Sequence, residues 1–147
     1  MSSVRRTNQA LYFSRLSLDK ASESEGAQLK RYSEECALFH LYAATVSFAG
    51  ELVTQYGLPA FSELPELLNR RELPSELREL SLLMADDNSW LKSLIRQHQR
   101  LIQQGFDDSA PASGLIFSQS DYAELFSNWL IELEKISRRM REHYQEN

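Results

Sequence analysis

Ala37 to Ala49 reads Ala-Leu-Phe-His-Leu-Tyr-Ala-Ala-Thr-Val-Ser-Phe-Ala, thirteen residues without a formally charged side chain. A helix on a protein surface shows a polar face every few residues. This stretch shows none, so it reads as a helix segment enclosed by protein. A bilayer span needs about 20 apolar residues, and this run is shorter. A buried central helix requires other helices around it, and the remaining chain supplies them.

A chain of 147 residues fits one domain, 1–147, large enough to bury a core without metal or disulfide support. The net charge of −5 disfavours nucleic acid and anionic membrane, both of which attract a basic face. Cys36 is the only cysteine, so no internal disulfide is available and a reducing cytoplasm is expected. The opening Met1 to Gln9 lacks the apolar core of a signal peptide.

The second helix is expected from Ala27 to Tyr56, about 45 Å long. Leu29, Tyr32, Cys36, Phe39, Ala43, Val46, Gly50 and Val53 alternate spacings of three and four along it, a heptad seam expected to face the core. Leu38, Leu41, Tyr42, Phe48 and Leu52 lie beside that seam. Gly57 suits a left-handed cap and Pro59 blocks continuation. A first helix is expected over Ser3–Lys20, with Val4, Leu11, Tyr12, Leu16 and Leu18 inward. Short pieces follow over Glu66–Arg71 and Ser75–Met84, each preceded by a proline. A third long helix, Trp90–Gln104, is expected to bury Leu91, Leu94, Ile95, Leu101 and Ile102. Phe106 to Gln119 reads as a loop whose Leu115, Ile116 and Phe117 tuck back onto the bundle. The last helix runs to about Tyr144, with Tyr122, Phe126, Trp129, Leu133, Ile136 and Met140 inward. No strand emerges. The expected fold is all-α: an antiparallel bundle of four long helices, with short helical pieces between the second and third.

The three histidines are His40, His98 and His143. Helical di-metal bundles carry Glu three residues before His. Here those positions hold Ala37, Ile95 and Met140, so no metal site and no cofactor is expected. His40, inside the uncharged run, is expected to be buried and hydrogen-bonded. Cys36 lies beside Glu34 and Glu35, which disfavour a thiolate, so it reads as a small core residue. Lys92, Arg96 and Arg100 form a basic stripe that suits nucleic acid or an acidic partner, but the acidic excess elsewhere favours pairing with neighbouring acids or exposure to water. No glycine-rich phosphate loop is present.

Arg138 and His143 have an Arg-x-x-x-x-His spacing that resembles the signature of HEPN-type helical ribonucleases. That resemblance implies a phosphate-stabilising role for Arg138 and an acid–base role for His143. The other reading of the pair is a solvated helix end whose cations complement the helix dipole. The segments Arg6–Leu16, His40–Tyr42 and Ser89–Leu91 resemble small uncharacterised all-helical proteins of gamma-proteobacteria, which implies a bacterial source and no specific activity. The functional expectation is a cytoplasmic, non-catalytic binding module for a second copy, another protein or a small ligand. A homodimer is expected because Tyr12 and Phe13, and Leu130 and Ile131, point in different directions on their helices, and one core cannot take them all; the competing expectation is that Leu115, Ile116 and Phe117 cover the patch within the monomer.

Overall fold

The computed structural model describes residues 2–105 and 121–145. The expected loop at Phe106–Gln119, with Leu115–Phe117, lies outside them. Six helices make up the described chain, with no strand among these residues: α1 (Ser3–Glu23), α2 (Ala27–Gln55), α3 (Leu64–Leu68), α4 (Ser75–Ala85), α5 (Trp90–Gln104) and α6 (Asp121–Gln145). Local chemistry sets their ends. The Ser2 hydroxyl accepts from the Arg5 N–H, and the Ser89 hydroxyl from the Lys92 N–H, each filling a vacant first-turn donor. After α2, Gly57 takes φ 62°, and the Leu58 N–H bonds the Val53 carbonyl at 3.0 Å.

α2 is central. It touches α1, α4, α5 and α6. By length and composition it is also the one described helix able to cross a membrane, yet 56% of its most apolar window is buried inside the fold. That burial is what a core helix requires. Its fully buried stripe is Ala37, Leu38, Leu41, Ala44, Phe48, Ala49 and Leu52.

This corrects the expected orientation of α2. Of the heptad seam from Leu29 to Val53, only Val53 is buried, with Ala43 and Val46 packed against the edge of the core. Leu29, Tyr32 and Phe39 are exposed, and Cys36, Ala43, Val46 and Gly50 are half-buried. A helix that is apolar all round presents two stripes at helical spacing, and periodicity cannot choose between them. Packing volume decides. The stripe with Leu38, Leu41, Phe48 and Leu52 fills the space between α1, α5 and α6.

α1 is rotated for a related reason. It buries Thr7, Ala10, Ser14, Leu18 and Ala21, and leaves Tyr12, Phe13 and Leu16 exposed. The small buried residues let α1 lie close against α2. The Thr7 hydroxyl donates to Ser47 Oγ at 2.8 Å, and the Ser47 hydroxyl donates to the Ser3 carbonyl at 3.2 Å. With Phe13 against His40, these contacts make α1 and α2 antiparallel. The bulky residues expected inside therefore end on the surface.

α6 follows its sequence pattern. Tyr122, Phe126, Trp129, Leu133, Ile136 and Met140 are all buried. Leu130 is buried too, while Ile131 is exposed. On α5, Leu91, Leu94 and Leu101 are buried as expected, but Ile95 is half-buried and Ile102 is exposed. Gln97 takes the inward position instead.

Candidate functional site

Three arrangements bring chemistry-bearing residues together: an outward aromatic face on α1, α2 and α5, a groove beside it, and a polar cluster at the end of α6.

The outward face is built from the misoriented seam. Leu29 is 55% exposed, Tyr32 64% and Phe39 47%. Rings join it sideways. Phe13 of α1 meets His40 edge-on at 5.3 Å, and Phe39 meets His98 of α5 edge-on at 5.7 Å. His98 stacks flat on Tyr42 at 3.7 Å. His40 is thus half-buried against Phe13, not buried and hydrogen-bonded as the sequence led us to expect. Its position beside the α1–α2 seam supplies ring contacts in place of a polar partner. Cys36 is likewise half-buried rather than in the core, because it belongs to the outward stripe. A contact with Cys36 raises the pKa of the exposed Tyr32 phenol.

Burial lowers the pKa of both His40 and His98, and the charge of Arg6 adds to the effect at His40. The folded state therefore prefers neutral imidazoles. As pH falls below the ordinary value of 6.5, the unfolded chain takes up protons that the folded chain resists. The contribution of these two histidines to stability should be complete above that value and decline as pH falls toward the folded pKa values. Urea denaturation at pH 7.5 and pH 5.5 checks this. The expected result is a lower midpoint at pH 5.5, with the difference reduced in His98→Gln. An unchanged or higher midpoint at pH 5.5 contradicts it.

The groove lies between α2, the start of α3 and α5, with a volume of about 470 Å³. Val46, Leu64, Ile95 and Ile102 line it, and His98 and Glu63 supply polar atoms at its walls. Burial raises the pKa of the Tyr42 phenol there, and the Glu63 charge adds to the effect.

The polar cluster ties α6 to the other helices. Glu51 of α2 is almost fully buried and receives two bonds from the Arg141 guanidinium, at 3.0 and 2.7 Å. The Tyr144 hydroxyl donates to the same carboxylate at 3.0 Å, and Arg141 also donates to Asn8 of α1 at 3.0 Å. Burial, with the Glu51 charge, pushes the Tyr144 phenol up to about 12. On the other side of α6, Glu76 is buried and accepts from the Tyr56 hydroxyl. Burial pushes the Glu76 carboxyl up, but the bond from Tyr56 and the neighbouring His143 hold it below the usual range. His143 Nε2 lies 3.6 Å from Glu76 Oε1. Arg139 pairs with Glu79 nearby.

Arg138 and His143 are not brought together. Five helix positions separate them by about 140° around the axis. Arg138 lines a hollow of about 390 Å³ with Asn8, Glu134 and Arg141. His143 lines another of about 430 Å³ with Glu76 and Arg139. Of the basic stripe, Arg96 pairs with Asp87 at 2.9 Å, while Lys92 and Arg100 are half-buried on α5. Among the described residues, no three His, Cys, Asp or Glu side chains converge as metal ligands do.

The sequence reading missed Glu51, Glu76 and Glu34. Glu51 interrupts the apolar run of α2 immediately after Gly50, the one available sign that a buried cation had to meet it. Glu34 is also buried, 3.9 Å from Arg31, and burial pushes its carboxyl up.

The whole chain, residues 1–147, matches a family of unknown function, DUF6586. The chain belongs to that family. No curated protein and no solved structure matches it. Membership in that family carries no activity with it.

Proposed function

We propose that this DUF6586 protein is a non-catalytic interaction module: a single-domain, cytoplasmic, antiparallel bundle of four long helices, α1, α2, α5 and α6, with α3 and α4 as short insertions. One observation carries the reading. The N-terminal part of the heptad-spaced seam on the central helix, Leu29, Tyr32 and Phe39, faces outward. Exposed apolar surface beyond a few hundred Å² marks an interaction site. Tyr12, Phe13 and Leu16 of α1 and Leu29, Tyr32 and Phe39 of α2 are all exposed. The ribonuclease alternative asks for Arg138 and His143 in a shared cleft, usually across a dimer interface; within one chain they line separate hollows.

The test uses tagged protein in extracts of its native host. On native gels the wild type should migrate in an assembly larger than the single chain. Tyr32→Glu combined with Phe39→Glu should migrate as the single chain. Because both residues are exposed, the variant should keep its unfolding free energy within about 1 kcal/mol of wild type. Identical migration of the two proteins would overturn the reading.

A further inference from the structure

The groove between α2, the start of α3 and α5 has the size and lining of a small-molecule site. Its volume of about 470 Å³ lies within the roughly 300–1,000 Å³ of ligand pockets, which are mostly apolar with a few polar groups that fix orientation. Val46, Leu64, Ile95 and Ile102 form its apolar wall. Ile102 is 62% exposed, so that wall is open to an occupant.

Charge selects the occupant. Among the described residues that line the groove, Glu63 alone carries a formal charge at neutral pH, because burial lowers the pKa of His98 and keeps its ring neutral. The Glu63 carboxylate is exposed, does not cap α3, and makes no ion pair with a described residue. Its field nevertheless reaches into the groove, where it adds to the burial that raises the Tyr42 phenol. An anion placed there would meet an acid with no cation among the lining residues. A neutral apolar molecule would strip water from Glu63 and put nothing in its place. A cation with an apolar tail satisfies both features: its head pairs with the carboxylate and its tail covers the two isoleucines.

We infer that the groove binds a small organic ammonium ion, its charged head beside Glu63 and its alkyl tail along Val46, Ile95 and Ile102. The exposed seam residues Leu29 and Tyr32 do not line this groove, so the site goes beyond the interaction-module reading and stands or falls independently of it.

Titration of the purified full chain with n-alkylammonium ions, followed by NMR at the isoleucine methyl groups, tests it. Octylammonium should shift the Ile95 and Ile102 signals saturably and leave Ile131 on α6 unmoved, with a dissociation constant below about 1 mM, an ordinary affinity for a ligand of that size. From butyl to octyl, affinity should rise about threefold to fourfold per added methylene, as burial of an apolar chain requires. Octanoate, with the same tail and the opposite charge, should bind at least about tenfold more weakly. Glu63→Gln should remove that preference and Glu63→Lys should reverse it. Glu63 is exposed, so neither substitution threatens the fold. The absence of saturable binding, or shifts that spread equally to Ile131, overturns the inference. So does an affinity that stops rising after butyl, as a lysine side chain of a partner protein would behave, or a charge preference that survives Glu63→Gln.

Discussion

Arg141→Ala should destabilise the fold by about 3 kcal/mol or more, the typical cost of breaking a buried ion pair by removing one partner. The reason is the carboxylate left behind. Glu51 has a side chain 2% exposed and sits on the central helix, where water cannot replace the guanidinium. Among the described residues only the Tyr144 hydroxyl would remain as its donor. The same substitution releases Asn8 of α1 and removes a cation lying 5.9 Å from the centre of the Phe48 ring. Arg141 thus joins α1, α2 and α6 at one point. Arg141→Met combined with Glu51→Met should recover most of the loss, because two apolar side chains of similar length leave no buried charge. Urea denaturation of the two variants provides the check. A single substitution costing under about 1 kcal/mol would show that the pair is solvated in practice.

Phe48→Ala should cost about 3–5 kcal/mol, the range for removing a fully enclosed phenylalanine. Phe48 is completely buried and is among the largest side chains of the core. Phe39, nine positions earlier on the same helix, is half exposed, and Phe39→Ala should cost under about 1 kcal/mol in the isolated chain. The pair is matched in residue type and helix, so helix propensity cancels and burial alone separates them. Equilibrium denaturation at low protein concentration measures both.

The elements were legible in the sequence because their punctuation is local. Pro65, Pro74, Ser89, Gly57 and Gly105 mark helix ends by rules that need no knowledge of the fold. The inner face of α6 was legible because its opposite face is strongly charged. The rotation of α1 and α2 was not. α2 is apolar on nearly every side, so two stripes compete, and the better heptad is the one left outside. On α1 the buried stripe is small and partly polar: Thr7, Ala10 and Ser14 pack because they let two backbones approach, a property that hydrophobicity does not record. The polar cluster was hidden for a different reason. Glu51 and Arg141 are 90 positions apart, and only the approach of α6 to α2 makes them a pair. Arg138 and His143 formed a motif by spacing, yet the pitch of the helix they share sends them to different hollows.

Hydroxyl-radical footprinting of the dilute protein, read at individual side chains, tests the outward placement of the N-terminal part of the α2 seam most directly. Tyr32 and Phe39 should label rapidly, as the exposed Leu82 does, and Phe48 hardly at all. Phe39 as well protected as Phe48 would contradict the account.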